Sequence, residues 1–537
     1  MLLKVVYVLA SVFVILNNNI FQVHGANILG LLGMTSPSSQ IWNTVFLHKL
    51  AENGHNVTIL SADLPKSSEK LPPNVHYIHL EKAYAMYDSE KKTDAKKLDL
   101  VSYIGVHNPF TSIPPFYAFG IETCRGIVSS KGFKTLLDYP NDFKFDLMLN
   151  DYTLGPYLLG FLHKFNYPPL IGLTAFHNSP LTIDAMFNHY FPAYVPYHST
   201  VYSTEMNFYE RLENTLIFIA DTAYRRMIYL PQIDAIMRPY FDKDTPYLGD
   251  LSAHTAISMV NSHPAIDYAE SLPPNVIEVG GMQILDAKPL PKDLEEFMNK
   301  SRKGVVFISF GTNMKSEDFG EERVRVFLDA MTQLPEYNFM WKFDKKYLKT
   351  KLPENVLAQS FFPQRDILAH PRLKAFVTHC GGLSSQEATW RGVPMIGIPL
   401  FLDQHRNLRQ SMLAGVAEKI DFLTMTTEIL RDTIKKVAED PKMAQNVRIR
   451  SQQFRDQPMK PLELAVWWAE YLLRNPNPFH LKSAASKLNI FQAHSLDVLL
   501  LLWTVFVILI LGLVKLLFIV MNCFKRKNQG SIKLKQK

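Results

Sequence analysis

Only three cysteines occur in 537 residues. That excludes a disulfide-built scaffold, and no Cys-x-x-Cys pair is available for zinc. Gly-x-Gly-x-x-Gly and Gly-x-x-x-x-Gly-Lys loops are absent too, so nicotinamide dehydrogenase and P-loop NTPase readings lose their support. No His/Asp cluster stands at ligand spacing, so no metal is called for. No internal repeat is visible. Excess charge is scarce where it would count. The net charge is +7, but Lys525, Arg526, Lys527, Lys533, Lys535 and Lys537 crowd the last 13 residues without an acid, and one more positive charge is Lys4. The chain between is balanced, which sets nucleic-acid binding aside. What is present is apolar: 47% hydrophobic against 20% charged residues rules out intrinsic disorder.

The two ends carry an address. Residues 1–25 read as a secretory signal, with Lys4, a 12-residue apolar run from Val5 to Leu16, and a cut expected near Ala26. Near the other end, Val498 to Met521 is broken only by Lys515. At ~1.5 Å per residue this run makes roughly 36 Å of helix, enough to span a bilayer with tilt. The basic residues 522–537 then place the tail in the cytosol and the bulk of the chain in the lumen, a single-pass type I arrangement. Asn56-Val57-Thr58 and Asn299-Lys300-Ser301 are glycosylation sequons on that side. Lys533 and Lys535 match a dilysine retrieval signal for the endoplasmic reticulum. A merely solvated basic tail is the alternative.

Between the ends, two strand–helix series follow each other. The first has strands expected at 27–33, 57–60, 145–149 and 169–173, with a helix from Gln40 to Glu52 closed by Asn53-Gly54. Residues 83–244, rich in Tyr, Phe and Pro, read as loops and helices around an apolar acceptor cavity or as ordinary core. Leu272-Pro273-Pro274-Asn275 reads as a linker. The second series has strands at 305–310, 339–343, 375–378 and 395–398, with helices near 321–332, 384–391 and 404–414. The expected fold class is α/β, with two Rossmann-like domains (26–270 and 271–480) facing a cleft. Ligands of such sheets bind beyond the carboxyl ends of the strands. A juxtamembrane segment at 481–497 completes the plan.

One constellation carries chemistry. Phe361-Phe362-Pro363-Gln364 precedes Phe376-Val377-Thr378-His379-Cys380-Gly381-Gly382, then Ser384, Glu387 and Asp403-Gln404. An apolar strand ends at His379, and glycines open a helix there, where backbone N–H groups favour a phosphate. His379 can donate to a phosphate oxygen, and Glu387 can accept from ribose hydroxyls. Phe361 offers a face for a base. Asp403 and Gln404 suit sugar hydroxyls.

This set resembles the signature of the UDP-glycosyltransferases, family 1 enzymes with the GT-B fold. The resemblance extends to Ser309-Phe310-Gly311-Thr312, Arg455-Asp456-Gln457-Pro458 with Pro461-Leu462, and His494-Ser495-Leu496-Asp497 before the membrane run. In detail it is most similar to the insect members. It implies that Phe361 stands where a Trp usually stacks on uracil. By position, Gln364 and Glu387 contact the uridine, Ser309 and His379 the diphosphate, and Asp403 with Gln404 the sugar. Gly311, Thr312, Gly381 and Ser384 belong to the same nucleotide-sugar site. Cys380 replaces a usual Gly, and Ala269-Glu270-Ser271 replaces a frequent Pro-Arg-Pro. The implied co-substrate is UDP-glucose or a related UDP-sugar, with no other cofactor. The implied partner is a small lipophilic acceptor, as in detoxifying conjugation, and self-association is compatible with the family.

The family inverts the anomeric carbon in one displacement, with a histidine taking the acceptor's proton and an aspartate holding that histidine. Asp151, closing Phe145-Asp146-Leu147-Met148-Leu149-Asn150-Asp151, is expected in the orienting place. The histidine is missing, because its position falls on Ser39 in Ser36-Pro37-Ser38-Ser39-Gln40. His48, nine residues on, belongs to the opposite helix face, and His55 reads as structural. Three readings stay open: a transferase for acceptors that need little deprotonation, such as acids and phenols; a weak or inactive UDP-sugar or aglycone binder, or a regulatory partner of active relatives; and a shifted alignment. A membrane-tethered binding module and a soluble lectin-like protein are further classes, the latter disfavoured by the basic tail.

Overall fold

A computed structural model describes residues 25–66, 70–85 and 108–535, with side chains omitted at 490 and 526–535. The expected signal, apart from Gly25, lies outside the described residues. So do residues 536–537 and the side chains of 526–535, with Lys533 and Lys535 among them. The chain divides into residues 1–481 and 482–537.

The larger unit is built on two all-parallel sheets. The first runs β3-β2-β1-β4-β5-β6-β7, from β1 (Asn27–Leu32), β2 (Asn56–Ser61), β3 (Val75–His79), β4 (Leu147–Asp151), β5 (Leu170–Thr174), β6 (Thr255–Val260) and β7 (Val276–Glu278). The second runs β10-β9-β8-β11-β12-β13, from β8 (Gly304–Ser309), β9 (Tyr337–Lys342), β10 (Val356–Gln359), β11 (Leu373–Thr378), β12 (Met395–Gly397) and β13 (Ala417–Lys419). Central strands such as β1, β4 and β8 are almost wholly buried. This is why they read as continuous apolar runs: a parallel sheet is covered on both faces. Both sheets reverse strand order at one place, between β1 and β4 and between β8 and β11. Those switch points put the following loops side by side at the carboxyl ends, where α/β proteins hold ligands.

Two sequence expectations are corrected. Residues 272–275 do not separate the domains. They lead into β7, which pairs with β6 in the first sheet, Met259 opposite Ile277. The first sheet therefore extends past residue 270. The segment after Arg455 also returns: helix Pro461–Arg474 packs Ala465, Val466, Ala469 and Leu472 among Ile28, Trp42, Phe46 and Leu149 of the first domain. Its apolar face is buried there rather than on the second sheet.

Helix α1 (Pro37–Glu52) begins three residues earlier than expected. Proline is pre-organised for the first helical position, since its missing N–H has no partner there anyway. Ser39 thereby falls in the first turn. The 83–244 stretch is more regular than expected, with α2 (Pro109–Val128) and α3 (Phe208–Tyr224). In the second domain, the helices that matter for the site are α4 (Gly382–Arg391) and α5 (Gln404–Leu413).

The smaller unit holds short turns and α6 (Leu496–Lys535). Its stretch Leu496–Lys525 is long and apolar enough to cross a membrane.

Candidate active site

The first switch point brings Ser39 to Asp151. Ser39 Oγ donates to Asp151 Oδ2 at 3.0 Å, and Asn43 Nδ2 donates to the same oxygen at 2.8 Å. The Thr153 amide donates to Oδ1 at 2.8 Å. All three side chains, Ser39, Asn43 and Asp151, are buried. Burial raises the carboxyl of Asp151 above its ordinary range, and the donors from Thr153, Ser39 and Asn43 act against that rise. Asn43 escaped the sequence reading, although it stands four residues after Ser39 and so on the same helix face. His48 lies elsewhere, with Nε2 2.7 Å from the hydroxyl of Tyr77. His55 is buried near Glu470, at 3.8 Å.

The second switch point gathers the rest. Ser309 ends β8, and its Oγ accepts from Gly311 N at 3.4 Å. His379 follows β11, and its ring fills the space above two glycines. A Cβ on Gly311 would meet His379 Cε1 at 2.7 Å, and one on Gly381 would meet Nε2 at 2.5 Å. Gly311 also holds a φ of +80°. Both glycines are thus required by the histidine. Burial first, then the ammonium of Lys342, push His379 down to about 4, so the ring is neutral at neutral pH. Lys342, on β9, donates to the Gly311 carbonyl at 2.6 Å. It is a charge that no sequence motif announced. Cys380 sits at φ +61°, a left-handed conformation that costs a non-glycine residue on the order of 1 kcal/mol. Its carbonyl accepts from Asn407 Nδ2 at 3.0 Å.

Gly381 caps the N-terminus of α4, beside the ring of His379. Asp403 approaches that end. Burial raises its carboxyl, opposed by hydrogen bonds from Asn407 and the Gly382 amide. Gln364 Nε2 donates to Glu387 at 2.7 Å and to Ser384 at 3.2 Å, so the two residues expected at the uridine cluster with a third expected at the nucleotide-sugar site. Burial also raises Glu387. Phe361 is 61% exposed, with Lys66 Nζ of the first domain 4.4 Å from its ring centre. Thr312 is exposed on the loop after β8. Gln404 is turned inward: its Oε1 accepts from the amides of Leu400, at 2.8 Å, and Phe401, at 3.2 Å. Its oxygen therefore holds a loop, which the sugar assignment did not foresee.

The two domains touch at this site. Asn313 Nδ2 donates to Ser36 Oγ at 3.2 Å, linking the loops after β8 and β1. Arg406 pairs both guanidinium ends with Asp267, at 3.2 and 2.5 Å. A polar cavity of about 40 Å³ lies there, lined by His177, Gly382, Asp403, Arg406, Asn407 and Arg450 among others. It is room for a water or two. Among the described residues no group of three metal-ligating side chains exists. Asn56 and Asn299 are both exposed at element ends.

The second switch point thus gathers a strand-end histidine on a glycine floor, a helix N-terminus and a carboxylate–amide pair. The first holds a buried carboxylate. Residues 31–530 match the family of UDP-glucoronosyl and UDP-glucosyl transferases. The chain belongs to the UDP-glycosyltransferase family. It is 33% identical to the UDP-glycosyltransferase UGT5 of Dactylopius coccus over 93% of each chain. It is 30% identical to the human UDP-glucuronosyltransferase 2B15 over 91% of this chain and 92% of that one. Among solved structures, the glycotransferase of kitacinnamycin superposes with a TM-score of 0.54 at 17% identity, covering 84% of this chain and 99% of the other. UDP-glucose:anthocyanidin 3-O-glucosyltransferase, in complex with UDP, gives 0.51 at 16% identity, covering 83% and 99%. These likenesses give the fold, GT-B. This UDP-glycosyltransferase is a transferase that takes its sugar from a UDP-sugar donor.

Proposed function

We propose that this UDP-glycosyltransferase moves glucose from UDP-glucose to a small lipophilic acceptor with inversion, and that Ser39 changes how the acceptor is activated. The observation that carries the reading is the Ser39–Asp151 hydrogen bond. A serine hydroxyl is no base near neutral pH, and losing a positioned base costs ~10²–10⁴ in rate. Ser39 Oγ keeps lone pairs toward an incoming hydroxyl while its own proton points at Asp151. An acceptor proton passes to Ser39 only as the serine proton passes to Asp151. That relay suits acceptors that hold their proton weakly: carboxylic acids, already ionised, and phenols with pKa near ~10. The acceptor oxygen then bonds to the anomeric carbon, and the bond to the UDP oxygen breaks on the opposite face. His379, Gly381 and the α4 N-terminus hold the departing diphosphate, Phe361 with Gln364 and Glu387 the uridine, and Asp403 the sugar.

The membrane address completes the proposal. Leu496–Lys525 anchors the chain in the endoplasmic reticulum membrane, with the two Rossmann-like domains in the lumen and the basic tail in the cytosol. The exposed sequons at Asn56 and Asn299 then carry glycans.

The test is UDP release from UDP-glucose by the membrane-bound protein, across carboxylic, phenolic and alcohol acceptors. Release that depends on acids or phenols is expected. UDP binding without acceptor-dependent release from any class would move the protein to the binder or regulatory-partner reading.

A further inference from the structure

The ring of Phe361 is exposed but not bare, because Lys66 Nζ lies 4.4 Å from its centre. The two residues belong to opposite domains. Phe361 precedes the short helix Gln364–Leu368 of the second domain, and Lys66 follows β2 of the first. The ring face that meets Lys66 is therefore the one turned to the cleft. The root of the loop that carries Lys66 is fixed. Asp63 N donates to Ser61 Oγ at 3.2 Å, and the Tyr84 hydroxyl donates to Asp63 Oδ2 at 2.8 Å. An ammonium over an aromatic face is held by the negative face of the ring.

Lys66 is one of three lysines that converge here. Lys342 donates to the Gly311 carbonyl at 2.6 Å, and Gly311 borders the His379 ring. Burial lowers Lys342 first, Glu317 opposes, and Lys66 and Lys315 add to the fall. The ammonium groups of Lys66 and Lys315 thus lie within electrostatic reach of that of Lys342. Among the described residues none of the three forms an ion pair with an acid. Glu317 itself accepts from the Asp344 amide. Gathered like charges repel, and a bound anion offsets that repulsion.

We infer that Lys66 is a donor-site residue supplied by the first domain. In the donor-free protein its ammonium occupies the cleft face of Phe361. When uracil takes that face, Lys66 leaves it and pairs with the diphosphate beside Lys342. Uracil and the ammonium compete for one ring face, while the ammonium and the diphosphate attract. The same side chain therefore opposes a nucleoside and favours a nucleotide. The inference rests on the reading that Phe361 holds uracil and that His379 and Gly381 hold the diphosphate. It goes beyond that reading, in which every donor-binding residue belongs to the second domain. The consequence is selectivity by charge. A ligand without a diphosphate gains nothing from displacing Lys66, so bare nucleosides are disfavoured at the site.

The experiment is calorimetry of uridine and of UDP with the full chain in detergent. The proteins compared are the natural one, Lys66→Met, Lys66→Arg, Phe361→Ala, and Lys66→Met combined with Phe361→Ala. Lys66 is exposed, and methionine keeps most of its stem, so the fold is not at stake. The inference expects opposite signs from one substitution. Lys66→Met should bind uridine about two- to fivefold more tightly and UDP about three- to tenfold more weakly. The UDP loss should shrink at high salt, because an exposed ammonium is screened. Lys66→Arg keeps the charge and should stay close to the natural protein with both ligands. In the Phe361→Ala background the uridine gain should vanish and the UDP loss remain. If Lys66→Met moves uridine and UDP by the same factor, or moves neither, the inference is overturned. In that case weaker uridine binding by Phe361→Ala leaves the nucleoside reading standing. If Phe361→Ala binds uridine as the natural protein does, that reading falls and the inference falls with it.

Discussion

The two switch points of the molecule are built alike and filled differently. At the second, a histidine closes β11, and two glycines clear the floor for its ring. At the first, a helix starts at Pro37, a four-residue loop after β1, and a serine of its first turn meets the carboxylate that closes β4. The second switch point thus holds a ring, its space and a neighbouring cation. The first holds an acid and, bonded to it, a serine. On the proposed reading, donor binding and acceptor activation are separable, the first retained by this chain and the second altered at Ser39.

The comparison can be broken at its acceptor side first. Asp151→Ala would leave the Ser39 hydroxyl, the Asn43 amide and the Thr153 N–H without their acceptor. A buried donor without a partner costs about 1–3 kcal/mol, so a loss of roughly 3 kcal/mol in unfolding free energy is expected, read by chemical denaturation. UDP affinity of the folded fraction should hold. On the donor side, Gly381→Ala would drive a Cβ into His379 Nε2. Losing one hydrogen bond to a charged group costs about 1.5–3 kcal/mol, so UDP affinity by calorimetry should fall about 10- to 10²-fold while stability changes less.

Acid distinguishes the two sides next. His379 is held at about 4 against 6.5 in the unfolded chain. Between those values the unfolded chain takes a proton that the folded ring refuses, so this contribution to stability falls as pH drops from 6.5 to 4. Asp151 and Asp403 are raised carboxyls and act in the opposite sense, so the difference between the natural protein and His379→Gln isolates the histidine. UDP should shrink that difference, because a diphosphate beside the ring favours its protonated form. The smallest effect is expected at Phe361→Trp. A larger exposed ring should tighten UDP a few-fold, from an aromatic contribution of about 0.5–1.5 kcal/mol, with acceptor preference unmoved.

How much of this was legible depended on burial. Strands β1, β4, β8 and β11 stood out because parallel sheets bury both faces. The edge strands did not: β3 (Val-His-Tyr-Ile-His) mixes polar residues, and β7 and β13 are three residues each. β7 hid behind a Leu-Pro-Pro-Asn that looked like a linker. Helix α2 carries Pro114 and Pro115, which argued against a helix of 20 residues. Helix α3 was readable in principle, since Asn207 and Glu210 form a capping box. Its apolar periodicity was also present, but periodicity says nothing of which face turns inward, and here the polar one does. At the site, the family resemblance pointed to Ser39 with Asp151 and to Gln364 with Glu387, and each pair is hydrogen-bonded in the structure. Lys342, Asn313 and the turned-in Gln404 depend on contacts distant in sequence, which no local pattern encodes.

The central claim is that acceptor activation, and not donor binding, is what Ser39 alters. The most direct measurement is the dependence of kcat/KM on acceptor pKa, over a series of substituted phenols and alcohols of similar size, for the natural protein beside Ser39→His. The account predicts a steep fall with rising acceptor pKa in the natural protein. In the histidine version it predicts a shallow dependence, with alcohols gaining ~10²–10⁴ in rate and KM for UDP-glucose unchanged. Equal slopes in the two proteins, or a change confined to the KM for UDP-glucose, would contradict it.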